Sequence, residues 1–170
     1  MTLHVYIGHG ASGNAASMKA HVDGLRTRGV EADAIDLPVK KAEDAVPAFH
    51  AVVPRTPDTV VGGQSYGGRV ASLAAAEAGA PYAALVLFSY PLHRPGHPED
   101  LRTSHWPSIR CPVILLSGEA DPFARIELLR AEVKRLPNAQ LVTYPRLGHT
   151  LKPVLSDALD RVAAFLAALE

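Results

Sequence analysis

Three side chains suited to acyl transfer stand at comparable places along the chain: Ser65, Asp121 and His149 each follow an apolar run. Residues 60–70 read VVGGQSYGGRV, in which Gly63-Gln64-Ser65-Tyr66-Gly67 matches G-x-S-x-G. That pattern marks a sharp strand-to-helix turn that exposes a serine hydroxyl, its glycines letting neighbouring backbone come close. The flanks agree, since Thr59-Val60-Val61 has the β-branched character of a buried strand and Arg69 to Ala78 reads as a helix. A serine nucleophile needs a histidine to take its proton and a carboxylate to orient that histidine. In the order nucleophile, acid, histidine, Asp121 ("VILLSGEAD") and His149 ("LVTYPRLGHT") meet the requirement. An oxyanion hole needs backbone N–H groups, and those of Tyr66 and of Ala11, in the "GHGASG" after the first apolar run, are the candidates.

Each assignment has a plainer rival. Ser65 could be only a small residue in a crowded turn, Asp121 only a helix N-cap before Pro122, and His149 an ordinary loop histidine, with Glu119 a second candidate acid. Gly8-His9-Gly10-Ala11-Ser12-Gly13 also matches G-x-G-x-x-G, with Asp36 near the position of a ribose-binding acid, so a dinucleotide site competes. The hydrolase reading accounts for four loops and the dinucleotide reading for one loop and an acid. His9, Gly10, Tyr66, His93 and Trp106 are the expected substrate-binding residues, His9 shaping the oxyanion loop. His93 and His97 have i, i+4 spacing, but Pro95 and Gly96 between them break the helix that a shared metal would require, so no metal site and no cofactor are expected.

The elements that must carry these residues follow from the hydropathy pattern. Short apolar runs near 3–7, 30–35, 59–63, 83–88, 113–117 and 140–144 alternate with helical patterns near 13–28, 66–78, 123–136 and 154–169, with a short helix conceivable near 40–50. Such alternation predicts an α/β fold, a three-layer α/β/α arrangement around a mostly parallel six-stranded sheet within one domain, 1–170. The sheet would hold its ligands beyond the carboxyl ends of its strands, where the polar candidates fall. Lys plus Arg and Asp plus Glu are equal at 17 each, so there is no overall field to hold nucleic acid or an anionic membrane. Cys111 is the only cysteine and reads as a buried thiol. The N-terminus lacks a basic region followed by a long apolar segment, which leads to the expectation of a cytoplasmic protein. The remaining partners are a small-molecule ester and, with nothing in the composition against it, a second copy in a homodimer.

On these residues the chain resembles the α/β-hydrolase superfamily: "GQSYGG" is similar to its nucleophile elbow, "SGEADPF" to its acid loop and "LGHT" to its histidine loop. More narrowly, "SYPLHRPGHPEDLRT" at 89–103 and "CPVILLSGEAD" resemble a small, lidless, dienelactone-hydrolase-like branch. That branch includes testis-expressed protein thirty and a subunit of a nonspecific-lethal histone-acetyltransferase complex. The resemblance implies a minimal α/β-hydrolase fold without a lid domain and a carboxylesterase-like activity on a small acyl ester, thioester or lactone. It equally implies the alternative of a non-catalytic interaction module that keeps the hydrolase scaffold.

Overall fold

Parallel strands covered on both faces read as continuous apolar runs, and the central strands here do so, with ALVLF at 84–88 buried throughout. The structure, a computed structural model, describes residues 1–170. Strands β1 (His4–Gly8), β2 (Glu31–Ile35), β3 (Thr59–Gln64), β4 (Ala84–Phe88), β5 (Val113–Gly118) and β6 (Ala139–Tyr144) form one sheet in the order β2-β1-β3-β4-β5-β6. Every pairing is parallel, where the sequence pattern predicts a mostly parallel sheet. The five helices are α1 (Lys19–Arg26), α2 (Ala42–Val52), α3 (Tyr66–Ala75), α4 (Ile126–Glu132) and α5 (Leu155–Ala167). None is long and apolar enough to cross a membrane.

Alternate side chains of each strand feed two separate cores. Val61, Leu85, Leu87, Val113 and Leu115 pack with α2, α3 and α4 through Phe49, Val70, Ala74 and Leu129. Val60, Val86, Phe88, Ile114 and Leu116 pack on the other face with α1 and α5 through Val22, Leu25, Leu159 and Val162. At about 1.5–3 kcal/mol for each large apolar side chain withdrawn from water, both faces contribute to holding the sheet rigid. The chain runs from β1 outward to β2 and then returns to the opposite side of β1 as β3. The strand order therefore switches between β1 and β3, and the loops leaving their carboxyl ends diverge to leave a crevice.

One expected helix is present and another is shortened. α2 forms where a short helix is expected near 40–50, with Pro47 inside its 11 residues. Its apolar face, Ala42, Ala45 and Phe49, is buried, which outweighs the N–H that proline lacks. α4 begins only at Ile126, because Phe123 is drawn into a turn by the Asp121 side chain. Residues 89–112, where a lid would be inserted, hold a single 3₁₀ turn, Trp106–Ser108, and no further domain.

The crossing of β1, β3 and α3 depends on missing side chains. A Cβ on Gly67 would lie 2.4 Å from the Gly8 carbonyl carbon, and one on Gly63 would lie 2.4 Å from that of Gly67. In both cases the obstacle is backbone, which cannot swing aside. Gly67→Ala is thus expected to cost about 3 kcal/mol or more of stability, read as a lowered urea midpoint with unchanged m-value. A midpoint equal to wild type would mean that the crossing can relax.

Candidate active site

Ser65 lies between the last residue of β3 and the first of α3 with φ 49° and ψ −115°, a backbone region that a non-glycine residue enters only under constraint. The constraints are identifiable. Ser65 N–H donates to the Phe88 carbonyl at the end of β4 (2.9 Å), and Gly67 N–H donates to the His9 carbonyl in the loop after β1 (2.9 Å). The turn is therefore pinned to both neighbouring strands, and its strain is met by the sheet. Ser89, after β4, and Arg146, after β6, are the other non-glycine residues with positive φ, so the strained backbone collects at this end of the sheet.

His149 and Asp121 arrive on two loops that are locked together. Ala120 N–H donates to the Leu147 carbonyl and Glu119 N–H to the Tyr144 carbonyl, each at 2.9 Å, and Gly118 packs so closely on Leu147 that a Cβ would lie 2.1 Å from its carbonyl oxygen. The result is a continuous hydrogen-bonded row. His149 Nε2 is 2.9 Å from Ser65 Oγ, and His149 Nδ1 is 2.8 Å from Asp121 Oδ2. Asp121 is buried, with its other oxygen accepting from Phe123 N–H at 2.8 Å. It caps a turn, not the helix that its position before Pro122 suggests. The Phe123 ring lies against the imidazole, ring centres 4.4 Å apart, and holds its plane. Glu119, the second candidate acid, is committed to Arg130 at 2.8 Å and Thr143 at 3.2 Å.

This row opens on a cavity of about 710 Å³ between the loops after β1 and β3, at the switch point of the sheet. Gly10, Ala11, Ser65, Tyr66, Phe123 and His149 all line it. The N–H groups of Ala11 and Tyr66 make no hydrogen bond to the protein. Tyr66 also ties the β2–α2 loop to α3, its hydroxyl donating to the Pro38 carbonyl at 2.9 Å, and burial raises its pKa above the usual tyrosine value.

Three of the expected substrate-binding residues are elsewhere. His9 is buried, donating from Nδ1 to the Gly10 carbonyl (2.7 Å) and accepting the Leu37 N–H at Nε2 (2.9 Å), so it braces the loop from behind. His93 uses Nδ1 on the Arg94 carbonyl and Nε2 on the Arg125 N–H, which leaves neither nitrogen for a substrate or for a metal shared with His97. Trp106 is fully buried against Tyr90, ring centres 5.0 Å apart, as part of the core under α3. Its apolar bulk outweighs the placement of its loop near the site. Asp36, the acid of the dinucleotide pattern, accepts the Ala15 N–H at 2.8 Å and caps the turn that follows Gly13. The cavity also contains Lys40, Lys41, Glu43, Arg69, Pro91 and Arg102, which sequence patterns did not single out, because no motif joins residues from three separate segments.

The matched family is described as an alpha/beta hydrolase domain, and the match covers residues 4–168. The chain belongs to that family. Solved structures share its fold at low identity. A monoacylglycerol lipase from Paleococcus ferrophilus superposes with TM-score 0.83 at 14% identity, over 99% of this chain and 96% of the lipase. Thermogutta terrifontis esterase 2, phosphorylated by paraoxon, gives TM-score 0.80 at 19% identity over 99% and 83% of the two chains. Est1E from Butyrivibrio proteoclasticus gives 0.78 at 20% identity over 99% and 88%. No curated protein sequence matches the chain.

Behind the site, His105 Nε2–H donates to Ser72 Oγ at 2.8 Å, and the Ser72 hydroxyl in turn donates to the Arg69 carbonyl at 2.7 Å. Burial, with a smaller push from Arg69, lowers the His105 pKa from 6.5 to about 4. The folded state therefore favours the neutral ring, and the associated stability is complete above pH 6.5 and lost as pH falls towards 4. His105→Gln keeps a donor but does not titrate. It should reduce the loss of unfolding free energy between pH 7 and pH 4.5 by about 1–2 kcal/mol after allowance for solvent screening, measured by urea denaturation. Equal losses in the two proteins would contradict the buried neutral ring.

Proposed function

We propose that the protein is a carboxylesterase-like serine hydrolase that cleaves a small acyl ester, with thioesters and lactones in the same class, through Ser65, Asp121 and His149. The observation that carries the reading is the row Ser65 Oγ, His149, Asp121, with links of 2.9 and 2.8 Å, at the wall of an accessible cavity. Family membership and the esterase and lipase folds of its structural relatives support a hydrolase.

In this reading Ser65 Oγ bonds to the acyl carbon as its proton passes to His149 Nε2, and Asp121 stabilises the imidazolium through Nδ1–H. The former carbonyl oxygen takes the negative charge and receives the N–H groups of Tyr66 and Ala11, one such donor typically contributing about 3 kcal/mol. Collapse of the intermediate breaks the ester C–O bond, and the departing alcohol takes the proton from His149. Water then attacks the acyl-enzyme with His149 again as base, releasing the acid and restoring Ser65. The absence of a lid domain suits a small substrate that enters directly. The narrower resemblance to the dienelactone-hydrolase-like branch carries the opposite possibility, an interaction module without chemistry, and the same experiment separates the two.

Thermogutta terrifontis esterase 2 is phosphorylated by paraoxon and phosphonylated by sarin, which makes an organophosphorus reagent the natural probe. A fluorophosphonate should label the purified chain at one residue, Ser65, with Ser65→Ala and His149→Ala abolishing the label. Asp121→Asn should lower kcat on p-nitrophenyl acetate by about 10³- to 10⁴-fold. A folded protein that takes no label would favour the interaction module.

A further inference from the structure

The chain has equal numbers of cationic and anionic residues, yet its candidate active-site cavity does not. Lys40 and Lys41 from the β2–α2 loop, Arg69 from α3 and Arg102 from the segment after β4 all line it, against the single carboxylate of Glu43. Arg69 spends one nitrogen on Glu43 at 2.7 Å, and its Nε is buried without an acceptor. Arg102 is only partly exposed, and its guanidinium has no hydrogen-bond acceptor or ion-pair partner in the protein; Lys40 and Lys41 have none either. A guanidinium stays charged at any physiological pH and offers five donors in a planar fork, so one facing a cavity without a protein acceptor is free to grip an anionic oxygen group through two of them. Burial first, then the neighbouring Arg69, presses Arg102 below the usual arginine range, and the Glu43 carboxylate offsets part of the effect. The backbone of Arg102 is nonetheless held firmly, its N–H donating to the Leu92 carbonyl at 2.8 Å and its carbonyl accepting the Tyr90 hydroxyl at 2.6 Å. Arg69 follows Ser65 by one helical turn, its N–H bonded to the Ser65 carbonyl at 3.1 Å, and both residues line the same cavity.

We propose that Arg102, with Arg69, Lys40 and Lys41, forms a subsite for an anionic oxygen group, carboxylate or phosphate, carried by the ester substrate. The inference rests on the hydrolase reading and narrows its substrate class to esters bearing a negative charge close to the scissile bond. Arg102 supplies the bidentate contact, Arg69 adds charge from the helix, and the two lysines close the outer side and raise the local concentration of anions.

Matched ester pairs test this. 4-Acetoxybenzoate against its methyl ester carries the charge on the alcohol side; monophenyl adipate against phenyl methyl adipate carries it on the acyl side, spontaneous rates being subtracted. At low salt the charged member of at least one pair should have kcat/KM about tenfold or more above its neutral partner. Arg102→Gln should cut that ratio by about tenfold, Arg102→Glu should invert it, and 0.5 M NaCl should shrink it, as an order-of-magnitude expectation from screening. The double variant Lys40→Gln/Lys41→Gln, on an exposed loop, should lower the ratio by a smaller factor and serves where an Arg102 variant does not fold. Equal kcat/KM within both pairs, or a ratio unmoved by the folded variants, would overturn the subsite while leaving the hydrolase reading intact. Failure of the hydrolase reading looks different, since neither member of either pair would then be cleaved above the Ser65→Ala background.

Discussion

The contact of backbone with backbone at Gly8, Gly63 and Gly67 is the constraint on which the rest of the site depends. Because no Cβ intervenes, α3 can begin directly against the ends of β1 and β3, and the chain can reverse within one residue. That residue is Ser65, and its unusual φ and ψ follow from the reversal. A serine relaxed into ordinary backbone would point its hydroxyl elsewhere. The cost of the strained turn, of order 1–3 kcal/mol, is small beside the apolar burial that fixes the strands on either side. Rigidity of the sheet is thus what makes the geometry of a single side chain definite.

The same reasoning extends to the partners of Ser65. His149 is on an irregular loop, which alone would leave its ring free to turn. Three restraints remove that freedom: the Asp121 carboxylate on Nδ1, the Phe123 ring against its face, and the two backbone hydrogen bonds that join its loop to the one carrying Asp121. Asp121 is itself held by the Phe123 N–H, so acid, ring and turn fix one another. His9 plays a comparable part on the opposite side, joining Gly10 to Leu37 and so bracing the loop that carries Ala11.

Much of this was legible in the sequence, for a definite reason. In a parallel α/β fold the chemistry sits beyond the carboxyl ends of strands, so the positions of Ser65, Asp121 and His149 could be read once the apolar runs were recognised. The six strands fall within about two residues of their predicted places, the central ones because each is an apolar run bounded by glycine, proline or polar residues. What escaped is what depends on packing. Trp106 and His93 have residue types that occur in sites and in cores alike, and only the folded structure shows Trp106 under α3 and His93 spent on backbone. The start of α4 was missed because the Asp121 side chain captures the Phe123 N–H before a helix can. The cationic wall was invisible because Lys40, Lys41, Arg69 and Arg102 come together only through the sheet's change of direction.

An open site imposes its own limit on recognition. Apolar binding requires area removed from water on several sides, as a lid or tunnel provides, and residues 89–112 hold one short turn here. In the proposed hydrolase, a small acyl group lying against Phe123 or Pro91 would bury only part of its surface, so shape alone would discriminate weakly between similar esters. Charge acts differently, because an arginine fork rejects a neutral group by leaving its own donors unpaired, with or without a lid. Where the fold lacks enclosure, a substrate is best selected by an interaction that does not need it, and the unpaired guanidinium of Arg102, in the cavity it shares with Ser65, is the feature able to make one.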